Sequence, residues 1–182
     1  MKKLALAFAL VAVAGVAQAK DPTSGPSLSG YGANGVSGAG QRVSLFLNID
    51  PSGIYSVDEY GNALNTVINY NIGAGSHVVG IGWDVTLFAD SPSWLSELTV
   101  AFEDSAASAG VYLAPGAGND TPGTMVFSSG GVVDLVGLAL DFNVGGDGIL
   151  RTEYFEGFDD FNNDWDGIWQ SGLLTVEYIP VP

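Results

Sequence analysis

The sequence contains no cysteine and a single histidine among its 182 residues. Without thiols, disulfides, thiolate metal sites and cysteine nucleophiles are excluded. With His77 as the lone imidazole, any metal site that needs two histidine ligands is excluded as well. The fold must therefore depend on its hydrophobic core, which a chain of this length can supply.

Positive charge is also scarce, since 5 Lys and Arg face 20 Asp and Glu and give a net charge of −15. Such a chain repels phosphate backbones, so we expect no nucleic-acid partner. The acidity can attract divalent cations, or it can serve only as a solvated surface. Long helices are disfavoured, because the sequence holds 26 Gly and 8 Pro.

The first nineteen residues have the order of parts that is typical of a secretory signal peptide. Lys2 and Lys3 precede an apolar run from Leu4 to Val16, and Ala17-Gln18-Ala19 then forms a cleavage site. The run is shorter than the ~20 residues that a spanning helix needs. The pattern predicts cleavage of residues 1–19, a secreted or cell-surface location, and no membrane span in the mature chain.

The remaining chain divides into a lead-in and one domain. Residues 20–41 are rich in Gly, Ser and Pro, which is typical of a flexible segment. Residues 42–182 alternate apolar or β-branched runs with turn residues, as in a protein of many short strands. The pattern predicts an all-β fold, a single antiparallel β-sandwich or jelly-roll-like domain.

Nine segments are predicted as strands, and only Ser93–Glu97 as one helical turn. Nearly continuous apolar runs favour central positions for Val79–Phe88 and Val132–Phe142. The nine are Val43–Ile49, Thr66–Ile72, Val78–Phe88, Leu98–Glu103, Val111–Leu113, Thr124–Phe127, Val132–Phe142, Ile149–Phe155 and Leu173–Ile179.

Three stretches resemble a domain of bacterial PEP-CTERM proteins. They are VGIGWDVTLFADSPSWLSELTVAF (Val79–Phe102), FSSGGVVDLVGLALDFNVGGDGILRTEYFEGFDD (Phe127–Asp160) and WQSGLLTVEYIPVP (Trp169–Pro182). The resemblance implies export by an exosortase system in Gram-negative bacteria that make exopolysaccharide. The sequence ends at Val181-Pro182, before the Glu-Pro, apolar helix and basic tail of that family, so the sorting signal is expected to be missing or truncated. The resemblance supplies no catalytic residues.

The densest acidic segment predicts calcium as the one candidate cofactor. Oxygen side chains recur at Asp160, Asn162, Asp164 and Asp166, and Ca²⁺ takes six to eight oxygen ligands. The start of an EF-hand loop is matched from Asn162 to Gly167, but position twelve would be Leu173 instead of a bidentate Glu. The favoured interpretation is a solvated acidic turn that binds no ion, so that no cofactor is expected, and calcium binding is the alternative.

Two other features suggest contact with sugars or catalysis. Trp165, Trp169 and Trp94 are candidate glycan-binding residues, since indole faces stack on sugar rings, although Trp in a sandwich is commonly part of the core. Ser76 and His77 could belong to a catalytic triad, and Glu153 with Glu156 could form a glycosidase pair. No G-x-S-x-G turn supports the triad, and Glu153 and Glu156 are expected on opposite faces of a strand.

These patterns favour a secreted, non-catalytic protein of the cell surface or extracellular matrix, associated with biofilm or exopolysaccharide. The expected partners are extracellular polysaccharide or other matrix components. A carbohydrate-binding module is the first alternative and a glycan-active enzyme the second.

We expect processing to occur after Ala19, because the small-x-small site directly follows the apolar run. Intact-mass measurement on the exported protein should show Lys20 at the N-terminus. An exported form that retains Met1 would contradict the signal peptide.

Overall fold

The structure is a computed structural model that describes residues 10–13, 43–161 and 164–182. The predicted lead-in over residues 20–41 lies outside the described residues. Eleven strands and one helical turn form the described part: β1 Leu10–Val13, β2 Leu45–Ile49, β3 Ile54–Ser56, β4 Thr66–Asn71, β5 His77–Ala89, β6 Leu98–Asp104, β7 Gly110–Leu113, β8 Gly123–Asp134, α1 Leu135–Leu138, β9 Phe142–Asn143, β10 Ile149–Glu156 and β11 Gly167–Ile179.

The strands form two antiparallel sheets with jelly-roll connectivity. Sheet A has the order β1-β7-β6-β10-β4, and sheet B has the order β2-β11-β5-β8, with β3 on β11 and β9 on β5. Eight of the strands form the two main sheets: β2, β4, β5, β6, β7, β8, β10 and β11. When these eight are numbered along the chain, sheet B has the order first-eighth-third-sixth and sheet A the order second-seventh-fourth-fifth. This is the order of a jelly roll, so the predicted all-β sandwich is confirmed.

The core lies between the sheets and follows the period of two along each strand. In β10, Leu150 and Tyr154 are buried on the inner face, and in β11 Trp169, Leu174 and Val176 are buried in the same layer. The burial of apolar surface, which contributes ~25 cal/mol of stability per Å², is the main stabilising term for such a core. No cross-link supplements it, because the chain has no cysteine.

One of the two predicted central strands is correct and the other is wrong. β5 is central, since it pairs with β11 on one side and with β8 on the other. The segment Val132–Phe142 is not a strand: its first residues end the edge strand β8, and the chain then turns through α1. The prediction failed because an apolar run alone does not distinguish a strand from a helical turn. Within α1, Leu135 is buried while Val136, the next residue, is 52% exposed.

Two smaller differences concern chain segments outside the main strands. Residues 93–97, predicted as a helical turn, form bends and turns that lead into β6. Leu10–Val13, which the sequence assigns to the cleaved leader, pairs antiparallel with β7 at the edge of sheet A. Removal of residues 1–19 would leave β7 as that edge. Within the described ranges, no helix has both the length and the apolarity needed to cross a membrane.

Candidate functional site

Four acidic residues, three of them buried and Asp160 half-buried, meet at one end of the sandwich, and we call them the buried acid cluster: Glu97, Glu156, Asp160 and Asp166. Glu97 precedes β6 and Glu156 ends β10, both in sheet A. Asp166 precedes β11 in sheet B, and Ser56, beside the cluster, ends β3 in the same sheet. The cluster therefore lies where the two sheets approach each other.

Backbone hydrogen bonds fix these strand ends together. The Gly157 amide donates to the Glu97 carbonyl at 2.8 Å, and the Asp166 amide donates to the Ser56 carbonyl at 3.0 Å. Gly167 lies against Leu98, where a Cβ would come within 2.7 Å of the Leu98 Cδ1 atom. The same Cβ would lie 2.8 Å from the Phe88 carbonyl oxygen, so a larger residue at position 167 would force the backbone or Leu98 to shift beside the cluster.

The central carboxylates of the cluster are buried, and several of their oxygens have no hydrogen-bond donor. Glu156 is 1% exposed, and neither of its carboxylate oxygens has a partner. The Asp166 Oδ2 atom accepts the Asp160 amide at 2.8 Å, while Oδ1 is unpartnered. The Ser56 hydroxyl is buried beside Glu156 and makes no hydrogen bond of ordinary geometry, although its proximity partly offsets the rise in the pKa of Glu156.

The environment disfavours the ionised form of these carboxyls. Burial raises the pKa of Glu156 well above its usual value, and the negative charges of Asp166 and Glu97 raise it further. Burial also raises the pKa of Asp166, opposed in part by the hydrogen bond from the Asp160 amide. The cluster thus concentrates carboxyl groups in a place where water stabilises their ionised form poorly.

The acidic segment predicted to bind calcium is divided by the fold. Asp160 and Asp166 belong to the buried acid cluster, but Asp164 is exposed and its Oδ1 atom accepts the Trp165 amide at 2.9 Å. Asn162 lies outside the described residues. Glu97 and Glu156 were not predicted as ligands, because they are remote in sequence and meet the loop only through the pairing of β6 with β10.

A second buried acidic group has its own cation. Arg151 of β10 donates through Nη1 to Glu103 Oε1 and through Nη2 to Glu153 Oε2, the latter at 2.6 Å. The Tyr60 hydroxyl donates to Glu103 at 2.8 Å, and the Asn65 amide nitrogen donates to Glu153 at 2.9 Å. This network attaches the segment over residues 57–65 to the outer face of sheet A.

The two carboxylates considered as a glycosidase pair therefore belong to different places. Glu153 lies in the Arg151 network, while Glu156 lies in the buried acid cluster on the opposite side of β10. This agrees with the alternation expected along a strand. The side chains of Ser76 and His77 also have different partners. The Ser76 hydroxyl donates to the Ile72 carbonyl at 2.7 Å, and His77 Nε2 lies 2.6 Å from Asp141.

The predicted glycan-binding tryptophans have three different environments. Trp165 is 36% exposed and forms an aromatic patch with Tyr55 and Phe88, at ring-centroid distances of 5.5 and 6.3 Å. Trp94 is half-buried. The prediction for Trp169 is wrong: it is 0% exposed and packs edge-to-face on Tyr154 in the core, so it cannot stack on a glycan.

A shallow groove of about 370 Å³ lies on sheet B, away from the acid cluster. The bulge of β8 over residues 128–132 forms one wall, and residues of β5 and β11 form the floor. Its side chains include Trp83, Asp84, Ser129 and Leu173. This mixture of one indole, one carboxylate and small polar groups suits a weakly bound neutral ligand better than a charged one.

No protein-family model matches this sequence, and no curated protein matches it either. The VP2 subviral particle of infectious bursal disease virus is similar at a TM-score of 0.37 and 12% identity, over 75% of this chain and 32% of that one. The coat protein dimer of Tobacco streak virus is similar at a TM-score of 0.28 and 15% identity, over 76% and 88%. Structural similarity this low does not support an inference about this protein. The jelly-roll assignment therefore depends on the strand order of the chain itself.

We expect Arg151→Met to destabilise the fold by about 3–5 kcal/mol, because it leaves Glu103 and Glu153 buried without a cation. Urea unfolding of wild type and variant measures the difference. Adding Glu103→Gln and Glu153→Gln to Arg151→Met should restore most of the loss, since the uncompensated charge is then gone. An Arg151→Met protein as stable as wild type would show that the network contributes little.

Proposed function

We propose that this chain is a secreted, non-catalytic structural component of an extracellular matrix, of the biofilm or exopolysaccharide-associated kind. The leader-like N-terminus, the acidic composition and the PEP-CTERM resemblance support the location. The jelly roll is compatible with this role, but the fold by itself decides no function.

One structural observation supports the non-catalytic part of the proposal. Two of the polar side chains considered for catalysis, Ser76 and Glu153, are engaged with the fold. Ser76 is tied to a backbone carbonyl, and Glu153 accepts hydrogen bonds from Arg151, Asn65 and the Gly61 amide. A general acid or nucleophile must instead reach a substrate in an accessible cleft.

Fractionation of the producing bacterium tests this proposal. The chain, detected by antibody, should be enriched in the matrix fraction relative to cytoplasm and medium, and the purified chain should leave matrix polysaccharide at its original chain length. Retention in the cytoplasm would contradict the location. Depolymerisation of the polysaccharide would contradict the non-catalytic role.

A carbohydrate-binding module is the second candidate, and the aromatic patch of Tyr55, Phe88 and Trp165 favours it. Two of these rings, Tyr55 and Trp165, are exposed at the surface of one sheet end. Aromatic rings provide large, rigid contact areas with apolar faces, which suits the C–H faces of sugars. The neighbouring Asp164 carboxylate can accept hydrogen bonds from sugar hydroxyls.

We expect Trp165→Ala to weaken binding to matrix polysaccharide by about 5- to 150-fold, because one stacking contact is worth ~1–3 kcal/mol by analogy with base stacking. Affinity electrophoresis or a glycan array provides the measurement. Phe46→Ala is the matched control, since Phe46 is an exposed ring on β2 and pairs with Glu177 near the far end of β11. Equal binding by wild type and Trp165→Ala would eliminate the patch, and a loss confined to Trp83→Ala would place the sugar in the groove instead.

A further inference from the structure

Unsatisfied buried oxygen atoms are concentrated in the buried acid cluster. Among the described residues, six buried side-chain polar atoms have no hydrogen-bond partner, and four of them are Glu156 Oε1 and Oε2, Asp166 Oδ1 and Ser56 Oγ. The other two belong to Tyr154 and Trp169, whose rings pack on each other in the core. Buried polar groups of native proteins are almost always satisfied, so this concentration of acceptors points to a missing partner.

The missing partner carries positive charge. Glu156 is surrounded by the like charges of Asp166, Glu97 and Asp160. In the described part of the chain, Arg151 is the only Lys or Arg, and it is already engaged with Glu103 and Glu153. A buried carboxylate needs a paired charge, a metal ion or a proton, and no side-chain cation remains in these ranges to provide the first.

We propose that the buried acid cluster binds one calcium ion, with Glu156 and Asp166 as its principal ligands. The Ser56 hydroxyl, Glu97 and Asp160 lie around them and can contribute further oxygens. All of these donors are oxygen atoms, the ligand type of hard cations, and neither nitrogen nor sulfur ligands are present. Ca²⁺ is favoured over Mg²⁺ because it accepts irregular shells of six to eight oxygens, whereas Mg²⁺ demands near-ideal octahedral geometry.

Binding requires local rearrangement of the side chains. In the described residues, no three acidic side chains are already grouped as a metal site. Asp166 Oδ2 is held by the Asp160 amide, and Glu97 Oε2 accepts the Trp94 amide at 2.8 Å. Carboxylate rotations at these strand ends would turn more oxygens toward Glu156. Sites that need such rearrangement bind weakly, in the ~10⁻⁴–10⁻³ M range of extracellular calcium modules.

The position of the ion gives it a structural role that is separate from the proposed function. Its ligands come from both sheets and from the loop over residues 157–166. An ion there would hold the ends of β10 and β11 together and would neutralise the charge that opposes their approach. It would also fix the loop that carries Trp165.

Thermal unfolding of the exported protein tests the proposal, in 10 mM calcium, in 10 mM magnesium and in chelator at equal ionic strength. With 10 mM calcium at about ten to a hundred times Kd, the unfolding midpoint should rise by about 3–10 °C. Magnesium should give a much smaller rise. Glu156→Gln should lose the calcium response, yet in chelator it should be at least as stable as wild type, because it removes an uncompensated charge.

Asp164→Asn is the matched control, because Asp164 is an exposed acid of the same segment that lies outside the cluster. It should keep the full calcium response. The proposal is overturned if calcium leaves the wild-type midpoint unchanged, if Glu156→Gln responds like wild type, if Asp164→Asn loses the response, or if magnesium acts equally well.

A second measurement keeps the proposal testable if Glu156→Gln does not fold. Equilibrium dialysis of the wild-type protein should give one calcium ion per chain, and Asp166→Asn should weaken that binding at least about tenfold, as expected when one of the principal charged ligands is lost. No bound calcium on the wild type at millimolar concentration would refute the site.

Discussion

Among the described residues, buried carboxyls outnumber the cations that could pair with them, and this is the constraint on which the structure depends. Six acidic residues are buried in the described part of the chain, where Arg151 is the only Lys or Arg. Arg151 lies between Glu103 and Glu153 and compensates both in part, while Tyr60 and Asn65 complete their hydrogen bonds. Within the described residues no second Lys or Arg is present for the charge around Glu156, and that difference separates a structural network from a candidate ion site.

The jelly roll explains why the uncompensated charge accumulates at one end. The core between the sheets is apolar and holds the middle of the strands together, so polar groups are displaced to the strand ends. At the end formed by β6, β10, β3 and β11, the sheets approach closely enough for Gly167 to contact Leu98. Carboxyls on these strand ends are forced into proximity. An extracellular location, as proposed for this chain, would expose them to calcium at concentrations that a weak site can use.

The fold could be predicted from sequence where the period of two is strong and the bounding turns are clear. Thr66–Asn71 and Leu98–Asp104 fall close to their predicted ranges. The short β3 was missed because three residues carry too little periodicity. The site was predicted only in part, since local density of oxygen side chains identified Asp160 and Asp166. Glu97 and Glu156 join them through strand pairing over a long sequence separation, which no local pattern records.

Trp169 shows the same limit of sequence reasoning. Its place beside an acidic loop suggested a surface role, but the alternation of β11 directs its side chain into the core.

The most direct test of the proposed calcium site is a crystal structure of the exported protein grown with calcium, with anomalous diffraction to locate the ion. The account predicts one peak about 2.3–2.6 Å from oxygens of both Glu156 and Asp166. A map without a peak there, with Glu156 and Asp166 sharing a proton instead, would contradict it.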